Sequence, residues 1–169
     1  MNHSNGTFVA VRFSEETIST LGYMAQFYSV PNPIDLSELH STVVYSRKPL
    51  KNVPPQRELL SPWIAKPIGF DVFETRNDMY GTGSPTRCLV LKIDCPEMHA
   101  RHNFLRKWEG ASHDFPSYQP HITLSYDIGD YDIRRLDAMT ILPEILIVQE
   151  YSQELKDHDR RKESRQEES

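Results

Sequence analysis

The chain has 169 residues, 38% hydrophobic and 25% charged, with 24 acidic against 19 basic side chains and a formal net charge of −5. That length suits one domain with a proper core. That charge speaks against broad binding to duplex DNA or RNA, where a basic footprint supplies most of the affinity. No stretch approaches the apolar run needed to span a bilayer and no secretory pattern opens the chain, so no membrane partner is expected.

Residues 1–6 are polar and expected to be loose. Thr7 to Phe13 alternates as a first strand, and Ser14 then offers an N-cap with Glu15 and Glu16 in the first turn. Ile18, Leu21, Met24, Ala25 and Tyr28 recur at helical spacing, which predicts a helix to about Phe27. Pro31 and Pro33 break it before a β-branched run, His40 to Ser46. The stretch from Pro49 to Pro62 reads as a loop or irregular excursion. Directly after the His40–Ser46 run, Arg47, Lys48, Lys51 and Arg57 form a locally basic segment, suited either to funnelling an anion or simply to solvation.

A strand is expected from Ala65 to Arg76, then a hairpin connection from Asn77 to Pro85, then a strand from Arg87 to Asp94. Cys88 and Cys95 would lie about 23 Å apart on extended chain, beyond disulfide reach, so a reduced, intracellular protein is the simplest inference. Pro96 at N1 opens a second helix ending near Gly110. A strand from His121 to Tyr126, a short helix through Ile133, Leu136 and Met139, and a last strand from Glu144 to Leu155 complete the domain. Residues 156–169 are charged with both signs and are expected to be disordered.

Two segments carry chemistry: His40-Ser41-Thr42 and His121-Ile122-Thr123. Side chains alternate across a strand, so each His and its Thr point the same way. The order strand, helix, strand with His-x-Thr occurs once in each half, at 7–46 and at 87–126. The expected fold is therefore α+β, with two lobes whose mainly antiparallel sheets, flanked by helices, surround a central cleft. Two imidazoles and two hydroxyls meeting there suit a phosphodiester: one His takes a proton, the other gives one, and the hydroxyls hold the phosphoryl oxygens. Cys95, His99 and His102 fall close together but match no familiar zinc spacing, so no metal site is assigned.

These strands resemble the two-histidine (2H) phosphoesterase superfamily, and within it the phage anti-CBASS cyclic-oligonucleotide phosphodiesterases. The likeness runs over about residues 7–155, through Thr-Phe-Val-Ala-Val-Arg-Phe, Leu-His-Ser-Thr-Val-Val-Tyr-Ser, Gly-Phe-Asp-Val-Phe-Glu, Arg-Cys-Leu-Val-Leu-Lys and Pro-His-Ile-Thr-Leu-Ser-Tyr-Asp. It implies His40 and His121 as the catalytic pair, Thr42 and Thr123 as phosphate binders, and Phe8, Phe73 and Glu150 as substrate-binding residues, with Glu154 a competitor to Glu150. Phe8 and Phe73 stand where the family is associated with tyrosine and tryptophan; stacking survives the change, a polar contact does not.

The resemblance further implies a phosphodiesterase that needs no metal or other cofactor. It would cleave the 3′–5′ bonds of cyclic di- or trinucleotide messengers such as cGAMP by attack of the 2′-hydroxyl, with one histidine as base and the other as acid. The sequence does not say which, and His40 as base with His121 as acid is the preferred order. The expected partner is a cyclic oligonucleotide, and the expected place is the cytoplasm of an infected bacterium, where a phage would evade CBASS immunity. Two alternatives stay open, an RNA-end-processing 2′,3′-cyclic phosphodiesterase and a non-catalytic cyclic-nucleotide sponge. Oligomeric state, base preference and ring size stay open as well.

Overall fold

The computed structural model describes residues 5–74, 85–115, 117–138 and 143–155. The hairpin expected across 77–85 falls almost wholly outside these residues, as do residues 1–4, Met139 and the tail from 156.

Six strands and two helices follow one another as β1 (Thr7–Phe13), α1 (Glu15–Phe27), β2 (Ser41–Ser46), β3 (Gln56–Glu74), β4 (Arg87–Asp94), α2 (Pro96–Trp108), β5 (His121–Ser125) and β6 (Ile145–Glu154). Short 3₁₀ turns occupy Leu36–Glu38 and Ile133–Ala138, the second where a short helix was expected. The strands are ordered β2-β1-β6-β3-β4-β5, and every neighbouring pair is antiparallel.

Local chemistry accounts for the helix ends. Ser14 accepts the Thr17 amide at 3.2 Å, relieving one orphan donor of α1. After Tyr28 the chain turns at Ser29 (φ 54°) and Asn32 (φ 48°), with prolines at 31 and 33 preventing continuation. Pro96 stands in the first turn of α2. Gly110 (φ 75°) closes that helix in the left-handed conformation, letting Ala111 reach back to the Leu105 carbonyl at 3.0 Å.

Strand β3 departs from the sequence expectation. It begins at Gln56 rather than Ala65 and runs for 19 residues. Its first part pairs with β6 and its second part with β4, so one strand joins the two lobes. Of the prolines that suggested a loop, Pro49, Pro54 and Pro55 precede the strand and Pro62 is absorbed by an irregularity. The register skips between Glu58 and Trp63, taking Pro62 off the ladder, and again between Pro67 and Gly69. A residue without an N–H costs nothing where no ladder bond is due.

Gly6 also departs from expectation: it is buried and accepts the Leu155 amide at 2.9 Å. A Cβ there would meet the Ser46 carbonyl oxygen at 1.8 Å, so the main chain of β2 passes where a side chain would lie.

One face of the sheet packs against the helices. Val9, Val11, Leu21, Met24, Leu89, Leu91, Ile93, Met98, Leu105, Ile122 and Ile147 belong to a single continuous core drawn from both halves. The edge strands β2 and β5 lie against each other without a hydrogen-bonded ladder. Each half covers that seam for the other. The segment after α1 caps β5, through Ile34 N–H on the Leu124 carbonyl (2.9 Å) and the Pro31 carbonyl accepting from Ser125 Oγ (2.7 Å). The segment after α2 caps β2, where Ser112 Oγ accepts the Arg47 amide at 2.7 Å.

Candidate active site

The register sorts the side chains by face. Phe8, Ala10 and Arg12 of β1 lie opposite Tyr45 and Thr42 of β2 and Gln153, Tyr151 and Gln149 of β6. The bulge that takes Val43 out of the β1–β2 register brings Thr42 onto the face of Phe8. In the other half, Lys92, Val90 and Cys88 lie opposite His121, Thr123, Asp71 and Phe73. The core residues occupy the reverse face in both halves.

His40 sits one residue before β2, and His121 is the first residue of β5. The two are held alike. His40 Nδ1 is 2.8 Å from the Glu38 carbonyl oxygen, and His121 Nδ1 is 3.0 Å from that of Gln119, each two residues upstream. A carbonyl only accepts, so Nδ1 carries the hydrogen in both rings. In the neutral imidazole Nε2 then holds the lone pair, available for proton transfer. Both motifs thus share a local device, an extended X-x-His turn that sets the tautomer.

Burial pushes the pKa of both imidazoles below the usual histidine value, against the carbonyl hydrogen bonds that favour protonation. The Arg12 charge depresses His40 further, and His40 depresses His121, so the two rings feel each other across the seam. Thr42 and Thr123 are buried polar residues beside them.

Each histidine also meets a phenylalanine. The Phe8 and His40 rings are edge-to-face with centroids 5.7 Å apart, and those of Phe73 and His121 are 5.1 Å apart. Phe8 is almost fully buried among Ala10, Tyr45 and Leu155, whereas Phe73 is half-buried. The structure therefore brings His40, His121, Thr42, Thr123, Phe8 and Phe73 to one region.

Glu150 is not among them. It pairs across β1 with Val11, on the core face, and is fully buried. Arg101 of α2 holds its carboxylate in a fork at 2.7 and 3.0 Å, with Arg57 at 3.5 Å. A carboxylate enclosed in that way is an internal ion pair. It is therefore not placed as the substrate contact that the resemblance implied, and the odd-numbered neighbours Gln149 and Tyr151 face the histidines' side instead. Glu154 shares Glu150's face and accepts from Asn5 at 3.3 Å.

The basic segment is partly spoken for. Arg47 forks onto Asp114, with both Nε contacts at 3.0 Å, and Arg57 belongs to Glu150, while Lys48 and Lys51 are exposed. Positive charge nearer the histidines comes from Arg12, stacked 4.2 Å over the Tyr151 ring, and from Lys92, opposite His121 and 3.3 Å from Asp71. Sequence reasoning passed over both. Alternation was the available signal, since Arg12 is four residues from Phe8 on one strand and so shares its face.

His102 bonds the Val43 carbonyl and Cys95 lies buried at the start of α2, its thiol pushed up to about 11 by burial. Among the described residues no three His, Cys, Asp or Glu side chains converge on a cation-sized point.

Comparison with known proteins shows the family of the chain. LigT of E. coli in its apo form aligns with 91% of this chain and 90% of its own at 13% identity and a TM-score of 0.47. The Salmonella phage S16 protein named Anti-CBASS protein Acb1 is 34% identical over 153 residues, 90% of each chain. Its namesake from Enterobacteria phage T4 is 37% identical over 126 residues, 75% of each. The sequence model described as Anti-CBASS protein Acb1 matches residues 5–162. With nearly the whole chain matched, this protein belongs to the Acb1 family of anti-CBASS proteins.

Proposed function

We propose that this protein is a phosphodiesterase that opens cyclic di- or trinucleotide messengers, cGAMP-like rings among them, so that a phage escapes CBASS immunity in its host's cytoplasm. One observation carries the reading. Two imidazoles, each with Nδ1–H committed to a carbonyl and Nε2 left for chemistry, stand beside two threonines on strands that meet at one seam.

In a 3′–5′ linkage the 2′-hydroxyl already lies next to phosphorus, so the nucleophile comes with the substrate. His40 Nε2 takes the 2′-hydroxyl proton as the oxygen attacks phosphorus. The bond to the 5′-oxygen breaks, and protonated His121 supplies that oxygen with its proton, leaving a 2′,3′-cyclic phosphate. Arg12 supports His40 as the base: its charge favours the neutral imidazole there, against the opposing Glu38 carboxylate. Water then opens the cyclic phosphate with the roles exchanged. Thr42 and Thr123 donate to the non-bridging oxygens as charge builds on them. Phe73 supplies apolar ring surface beside His121, and Phe8, almost fully buried, backs the His40 ring. No step draws on a metal or an organic cofactor.

The test is incubation with 3′,3′-linked cyclic di- and trinucleotides in EDTA, with products followed by mass spectrometry. Ring opening to a species ending in a cyclic or 3′-phosphate is expected, with no opening of the 2′-deoxy ring. Turnover of linear 2′,3′-cyclic phosphates alone would replace this reading with RNA-end processing. Tight binding without turnover would replace it with a sponge.

A further inference from the structure

The two His-x-Thr strands are not laddered to each other, so something else must set the distance between them. For β5 the answer is one main-chain bond, from Ile34 N–H to the Leu124 carbonyl beside an isolated bridge from Pro33 to Ser125, and one side-chain bond, from Ser125 Oγ to the Pro31 carbonyl. For β2 it is side chains. Tyr118 Oη donates to the Thr42 carbonyl at 2.7 Å, and His102 Nδ1 donates to the next carbonyl, that of Val43, also at 2.7 Å. Both fall at the bulge that turns Thr42 toward the active face. The two donors hold each other, their rings parallel to within 1° and 4.0 Å apart, with His113 edge-on to His102 at 4.7 Å and His99 edge-on to Tyr118 at 5.2 Å.

We infer that Tyr118 and His102 form a clasp that positions Thr42, and with it the His40 end of β2, against the His121 strand. They are positioning residues: neither lies among the side chains on the active face, and both act on the main chain of the residues that do. A bulged edge strand has spare carbonyls and no neighbour to hold them. The clasp supplies the missing neighbour from the opposite half. The asymmetry has a consequence for substitution. The Ile34–Leu124 main-chain bond at β5 survives a change of side chain, whereas each of the two clasp bonds at β2 is lost with one atom.

The inference rests on the phosphodiesterase reading for its kinetic effect, and its test separates the two. Tyr118→Phe removes only the hydroxyl and leaves the ring on His102. On a cyclic dinucleotide kcat is expected to fall about tenfold with KM little changed, since a small displacement of a positioned group is felt mainly in the reacting geometry. In a Thr42→Val background the same change is expected to cost clearly less, since only the placement of His40 remains to be lost, and in a Thr123→Val background the full tenfold. Equal losses in both backgrounds, or none in the native one, overturn the clasp while leaving the reading intact.

Amide hydrogen exchange gives a readout independent of activity. Tyr118→Phe is expected to speed exchange at 41–44 and not at 122–125. Unchanged exchange at 41–44, or an equal rise in both segments, counts against the clasp. If the native protein cleaves no phosphodiester, the reading falls, yet faster exchange confined to 41–44 still upholds the clasp.

Discussion

At the scale of the residue, the site is two histidines made alike by their own main chain and unlike by their neighbours. On the proposed mechanism, substituting His40 or His121 by alanine removes a general acid–base partner, and each change is expected to lower ring cleavage by about 10²–10⁴, measured as initial rate. Both pKa values are held below 6.5 by burial, so the optimum of kcat/KM is expected on the acid side of 6.5, a bell whose limbs belong to the coupled pair. Arg12 pushes His40 down, so Arg12→Gln removes that push and moves the acid limb to higher pH. A pH–rate profile that leaves the acid limb in place would separate Arg12 from the histidine. Phe8 and Phe73 were legible as aromatic positions through resemblance. Glu150 was misjudged because a carboxylate in a strand looks the same on either face until the register is known.

At the scale of the element, the strand β6 and helix α2 are joined by a buried charge and the strand β2 and helix α2 by a buried histidine. Arg101→Ala leaves the fully buried Glu150 with only Arg57 at 3.5 Å. Stripping a buried carboxylate of its main partner is expected to cost about 3 kcal/mol, read by urea unfolding. His102 is pushed down to about 4 by burial and by the positive fields of His113, Arg106 and His99. Its folded pKa lies below its unfolded one, so the unfolded chain binds its proton first. Stability is therefore whole above pH 6.5 and is lost as pH falls toward 4, by on the order of 3 kcal/mol. His102→Gln keeps a donor for Val43 and cannot titrate; its stability should be flatter over that range. Strand β1, helix α1, strand β4 and helix α2 follow their caps and periodicity to within two residues, because those signals are local. Strand β3 does not, because prolines forbid a strand only where the ladder demands their N–H.

At the scale of the molecule, a shared core and a shared strand make the two halves one cooperative body. Side chains from both halves fill one cluster, and β3 pairs with β6 and then β4. Urea unfolding is expected to give a single transition, superimposable by far- and near-ultraviolet circular dichroism. Two separated transitions would show halves that unfold independently. The histidines meet at the edges of the sheet and not at its centre. Their approach therefore depends on the reciprocal caps after α1 and α2, and the pairing of the halves is itself part of the site.

By itself the sequence determined the elements with local signals, the paired His-x-Thr strands, and through resemblance the family. Capping, alternation and motif spacing act within a few residues of one another and can be read along the chain. Only the tertiary structure decided which face Glu150 occupies, where β3 begins, and what holds the two edge strands together. Each of these turns on a bulge or a register, and a shift of one residue moves every side chain beyond it to the other face. Tyr118 and Thr42 are distant along the chain; nothing local to either one announces the other.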